Sequence, residues 1–134
     1  MSFLSELFGT EKPIIGLLHL KALPGDPLYY PGGSIASVVD AAKRDLDALQ
    51  SGGVDGILIT NEFSMPYQKR VSAVTLAAMG CVIGSLADQM SLPWGAEAIY
   101  DGDATIELCA AVDAKFTRCM FTGAWAGDLG LIDR

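Results

Sequence analysis

Four short apolar runs, each suited to a strand, are separated by segments of helical periodicity, and this alternation most restricts how the chain can fold. Strand followed by helix at such short spacing requires parallel strands joined by right-handed crossovers. The first run, Pro13 to Leu20, ends before the Pro24-Gly25 turn. After the Gly- and Pro-rich segment Lys21–Gly33, Ser34 is placed as an N-cap, and Ile35, Val38, Val39, Ala42, Leu46 and Leu49 follow at helical spacing. Gly52-Gly53 stops that helix, because glycine tolerates the left-handed conformation past a helix end. Val54–Thr60 reads as the second strand, Asn61–Tyr67 as its loop and Lys69–Gln89 as the next helix. Leu92–Tyr100 is the third strand, Asp103 the expected cap of a helix carrying Ile106, Leu108 and Val112, and Lys115–Phe121 the fourth strand. Leu4, Leu7 and Phe8 suggest a short leading helix, and no helix is expected in Thr122–Arg134.

The expected fold class is α/β: four parallel βα units forming the N-terminal half of a (β/α)8 TIM-barrel-like fold, with the last helix missing. Residues 1–134 form one partial domain, divided into a leading helix at 1–12 and units at 13–53, 54–91, 92–114 and 115–134. A flavodoxin-like open sheet satisfies the same alternation. A closed barrel needs roughly 250 residues, so the 134 present are expected to be a truncated product or fragment. Strands one and four would be open edges, which invite association. Ile15, Leu17, Leu58, Ile99 and Met120 would be partly wet, and exposing five such side chains costs roughly 8–15 kcal/mol. Self-association or pairing with a complementary half-barrel is therefore expected.

Hydrophobic residues make up 51% of the chain, yet Gly, Pro or a charge interrupts every apolar run, so no transmembrane segment is expected. Sixteen acidic against nine basic residues give a net charge of −7, which argues against nucleic-acid binding. Met1–Lys12 lacks the pattern of a secretory signal, and the chain is expected to be cytoplasmic. Cys81, Cys109 and Cys119 lack metal-ligand spacing and read as buried reduced thiols. Neither GxGxxG nor a Walker pattern occurs, so no cofactor and no metal are expected.

Alternation along strands assigns polar residues to faces. Ile15, Leu17 and His19 share one face; so do Leu58, Thr60 and Glu62; Glu97, Ile99 and Asp101; and Arg118, Met120 and Thr122. Each strand thus turns polar toward its C-terminal end, where open sheets and barrels place ligands. His19 is the one imidazole, the side chain that exchanges protons near neutrality, and is a candidate catalytic group alongside Glu62 and Asp101. Asn61, Arg118, Thr122 and Asp128 are candidate ligand-binding residues for a small molecule. Asp101 also suits capping of the next helix, and Arg118 suits an ion pair with Glu97 across neighbouring strands.

The runs IIGLLHLKALPGDP, GGVDGILITNEFSMPY and KFTRCMFTGAWAGDLG, in order across nearly the whole chain, resemble the BtpA family, in particular its SgcQ-like bacterial branch. The resemblance implies a barrel-like fold and a cytosolic or membrane-peripheral protein. One branch supports photosystem I accumulation; the other sits among sugar-transport and carbohydrate-handling genes. Family-shared positions include His19, Pro24, Gly25, Gly53, Asp55, Asn61, Pro66, Arg118, Thr122, Gly123 and Asp128. The photosystem-associated branch places its acidic residue just before the shared Asn, whereas this chain has Thr60 there and Glu62 after Asn61, and it carries Glu97 where the family commonly has Asn. The implied function is enzyme-like action on a small, optionally phosphorylated carbohydrate; the alternatives are a non-catalytic assembly factor or an inactive fragment.

Overall fold

The computed structural model describes residues 2–133. Helix α1 (Phe3–Phe8) leads into β1 (Ile15–His19), α2 (Ile35–Ser51), β2 (Gly56–Thr60), α3 (Ala73–Leu86), β3 (Trp94–Glu97) and α4 (Gly102–Ala111). A hairpin of β4 (Ala124–Gly127) and β5 (Gly130–Asp133) follows. The first three strands form one parallel sheet in the order β1-β2-β3, so sequence neighbours are sheet neighbours and no switch in strand order occurs. A flavodoxin-like sheet, whose first strand lies inside its second and third, has a different order.

Burial separates the two sheet faces. Leu18, Ile57, Ile59 and Ala96 point toward the helices and join Val38, Leu46, Met79, Ile83 and Leu108 in a single core. Ser34 caps α2 as the sequence suggests, its hydroxyl accepting from Ser37 N, and Gly53 takes the left-handed conformation after the helix. The opposite face carries the rungs Leu17–Leu58–Gly95 and His19–Thr60–Glu97, set by the parallel register. At the N-terminal end of this face Phe8 and Phe116 meet edge to face, with centroids 5.2 Å apart. They fit because β2 and β3 present Gly56 and Gly95 there; a Cβ on Gly56 would lie 2.6 Å from the Phe8 ring. Leading helix α1 is thus tied to the base of the sheet through Phe8.

Two expectations need correction. Lys115–Phe121 is not a regular fourth strand: it meets β3 at a single bridge, Gly95 to Phe116, supported by Lys115 N donating to Trp94 O at 2.8 Å. Continuing the ladder requires Thr117 N to reach Ala96 O. The Thr117 hydroxyl takes that carbonyl instead, at 2.6 Å, and Cys109 Sγ also donates to it. The tail after this segment forms the hairpin, turning through Asp128-Leu129 with Gly130 at φ 77°. Secondly, the cysteines are not buried: Cys81 is exposed on α3, and Cys109 and Cys119 are half-buried. Among the described residues no helix is long and apolar enough to cross a membrane.

The glycine geometry carries a stability prediction. Gly95→Ala would set its Cβ 2.3 Å from Phe116 O and 2.8 Å from the ring, so urea denaturation should show a loss of about 1–3 kcal/mol. Gly80→Ala, in mid-α3 with nothing within 4 Å of the new carbon, should gain about 0.5–1 kcal/mol. Equal effects from the two substitutions would rule out close packing of Phe116 on the sheet.

Candidate functional site

The strand ends build a polar cluster from one rung. His19, Thr60 and Glu97 are register partners at the C-terminal ends of β1, β2 and β3. His19 Nδ1 lies 2.9 Å from Thr60 Oγ1, and Thr60 is fully buried. Glu62 follows Thr60 on the same side, and its Oε2 stands 3.6 Å from His19 Nδ1. That separation makes an ion pair when the imidazole is protonated but is too long for a hydrogen bond. Tyr67 anchors Glu62, its hydroxyl donating to Oε1 at 2.8 Å and to the Glu62 carbonyl at 3.0 Å. Burial first, then the bonded Glu62 carboxylate, push the Tyr67 phenol up to about 12, so Tyr67 remains a donor at physiological pH.

Glu97 is only 7% exposed, and Arg118 Nε donates to its Oε2 at 3.1 Å. The pairing suggested by strand alternation is therefore present. Burial raises the Glu97 carboxyl above the usual carboxylate range; Arg118 opposes that rise, and Glu62 adds to it. The arrangement is asymmetric: Glu97 is enclosed, whereas the Arg118 side chain is 57% exposed. Its guanidinium combines one hold on the protein with an open side to solvent.

Other candidates do different work. Asn61, 2% exposed, accepts Ile99 N on its Oδ1 at 2.8 Å and ties the loop after β2 to the segment after β3. Asp101 is the N-cap of α4, accepting Ala104 N at 3.1 Å, and its other oxygen accepts Val71 N at 2.8 Å. Asp103, the expected cap, instead sits in the first turn of α4 and pairs with exposed Arg70. The alternation expected to align Asp101 with Glu97 stops because β3 ends at Glu97 and Tyr100 adopts φ 65°. Thr122 is exposed just before β4, and Asp128 lies at the hairpin turn.

Asp128 also lines an open cleft of about 820 Å³ beside the polar cluster, with Leu28, Tyr67, Tyr100, Met120 and Trp125 among its walls. Tyr67 belongs to both features, its hydroxyl on Glu62 and its ring edge-on to Tyr100 with centroids 5.5 Å apart. Sequence reasoning passed over Tyr67 and Tyr100. The available signal was an aromatic at each strand exit, and nothing local shows that the two rings meet. Among the described residues no group of three or more His, Cys, Asp or Glu could hold a metal ion.

A parallel, sequentially ordered sheet with a polar cluster at its strand ends defines a protein of the α/β class. The BtpA family model matches residues 10–134, and the chain belongs to that family. It is 46% identical over 99% of its length to the sgc region protein SgcQ of Escherichia coli K12, covering 50% of that protein. It is 35% identical over 97% to the photosystem I biogenesis protein BtpA of Synechocystis, covering 46%. An uncharacterised protein of Thermococcus kodakarensis is 36% identical over 92% of the chain, which covers 47% of it. The chain thus spans about half the length of the curated relatives it matches. No solved structure matches it.

Two substitutions test the assignments. Arg118→Ala strands the enclosed Glu97 carboxylate, at a cost of about 1–3 kcal/mol near neutral pH. Because the folded Glu97 carboxyl is raised, it takes up its proton more readily than in the unfolded chain; the penalty is absent at low pH and sets in as pH rises through the folded value. Denaturation of Arg118→Ala should therefore approach the parent's as pH falls toward the carboxylate range, and a pH-independent deficit would contradict the pairing. Asp101→Ala removes two acceptors of backbone N–H groups and should destabilise by about 1–3 kcal/mol in thermal melts.

Proposed function

We propose that this chain supplies the N-terminal half of a (β/α)8-barrel-like fold and, at its mouth, one side of an acid–base site for a small carbohydrate, free or phosphorylated. The observation that carries this reading is the rung His19–Thr60–Glu97, with Glu62 held beside it by Tyr67. Thr60 engages Nδ1 of His19, which turns Nε2 to the ligand as the atom that gives or takes a proton. Glu62 stabilises the imidazolium whenever His19 holds that proton, and Tyr67 keeps the carboxylate in place. Arg118, partnered through Nε by Glu97, presents its open side to an anionic or hydroxyl group of the ligand. Asp128 and Thr122, on the hairpin and its approach, contribute polar contacts from the rim. Asn61 and Asp101 act by fixing the loops that carry these groups.

The sequential strand order and the collection of α2, α3 and α4 on one face support the barrel component. A second reading, a non-catalytic assembly factor, draws support from the similarity to the photosystem I biogenesis protein of Synechocystis. The two separate by experiment. Calorimetric titration with hexoses, pentoses and their phosphates should reveal at least one binder. His19→Ala should weaken it about tenfold, the loss of roughly one ligand hydrogen bond. Absence of binding by every sugar and sugar phosphate would remove the carbohydrate reading.

A further inference from the structure

The cleft beside the polar cluster has features that the acid–base reading leaves unused. Its volume of about 820 Å³ falls within the range of roughly 300–1,000 Å³ typical of small-molecule sites. Leu28, 56% exposed, Tyr67, Tyr100, Met120 and Trp125 make it apolar and aromatic. Asp128 is the one charged residue among its described lining residues. The cleft and the polar cluster share a wall, because Tyr67 holds Glu62 with its hydroxyl and also lines the cleft.

Tyr100 adds an independent observation. It is one of two described non-glycine residues at positive φ, at 65°, a conformation that crowds the Cβ of an L-residue against its own carbonyl. The conformation is imposed from both sides. Asn61 Oδ1 accepts the N–H of Ile99 at 2.8 Å, and Asp101 donates its N–H to Ala98 O while its carboxylate grips Val71 N and Ala104 N. Two buried polar side chains thus hold a strained backbone that sets the Tyr100 ring against Tyr67, at 5.5 Å and 82°. Strain over-determined in this way is characteristic of ligand clamps.

We propose that the ligand of this site is bipartite: a hydroxylated head at His19, Glu62 and Arg118, joined to a planar apolar group seated in the cleft between Tyr100, Leu28, Met120 and Trp125. The inference rests on the carbohydrate reading and narrows it to a glycoside-like molecule. The negative Asp128 at the rim and the net charge of −7 select a neutral or cationic planar group over an anionic one.

The test compares methyl hexosides with matching p-nitrophenyl hexosides by calorimetry, and the fluorescence of Trp125 is taken as the difference between the parent and Trp125→Phe, since Trp94 also emits. The aryl member of a binding pair should bind at least about tenfold more tightly and quench fluorescence, as expected for aromatic contact plus apolar burial. Leu28→Asp, at an exposed loop position, and Tyr100→Gly, which relieves the positive φ while deleting the ring, should each bring the aryl-to-methyl ratio toward one. His19→Ala should weaken both members and preserve the ratio. Equal binding of methyl and aryl hexosides, or an aryl preference surviving both cleft substitutions, overturns the bipartite ligand while leaving the carbohydrate site standing. So does p-nitrophenol binding alone as tightly as its glycoside. Failure of every hexoside to bind overturns the bipartite ligand, and the carbohydrate reading falls with it only when the free sugars and sugar phosphates fail as well.

Discussion

Strand β2 is enclosed from Gly56 to Thr60, and the parallel register on its two sides determines where everything else lies. Ile57 and Ile59 belong to the helix-covered core, while Leu58 and Thr60 point the other way. A slip of one residue would drive the Thr60 hydroxyl into the core and turn two isoleucines out of it. Hydrophobic burial on one face therefore dictates the polar pairing on the other. His19, Thr60 and Glu97 come abreast because Leu18, Ile59 and Ala96 must be covered behind them.

The polar groups around that rung fall into two kinds, distinguished by what satisfies them. Asn61 and Asp101 are consumed by backbone N–H groups and act as fasteners between successive loops. Their burial is inexpensive because each lone pair facing the protein finds a donor. Glu62, Glu97 and Arg118 are satisfied mainly by other side chains, with Glu97 enclosed and Glu62 and Arg118 partly open to solvent. Two carboxylates are close enough to influence each other, one anchored by a phenol and the other by a guanidinium. The aromatic wall belongs to the same construction. The fasteners that close the loop after β3 also fix Tyr100, so the apolar and polar halves of the mouth are held by shared bonds.

Much of the architecture was readable from local pattern. The three paired strands, the Ser34 cap, the Gly53 helix stop and the polar turn at each strand end all follow from residues acting on near neighbours. The Glu97–Arg118 couple was legible too, because a charge inside a strand demands an opposite charge within reach. The fourth strand was not, since its hydrophobic pattern is correct and one competing bond undoes it: the Thr117 hydroxyl occupies the carbonyl that the ladder needs. Asp101 and Asp103 are equally good caps on paper. The choice went to Asp101 because Val71, thirty residues away in sequence, supplies a second N–H.

Pattern alone thus established the parallel α/β character and which side chains share a face, because strand and helix periods are properties of adjacent residues. It did not establish that Tyr67 would bridge Glu62 and Tyr100, that His19 would lie opposite Thr60, or that a hairpin would wall a cleft. Those contacts join segments far apart in the chain, and they depend on strand register and on a left-handed turn at Tyr100 stabilised by bonds from elsewhere. Local propensity carries no record of such long-range bonds; only the packed chain brings their partners within reach.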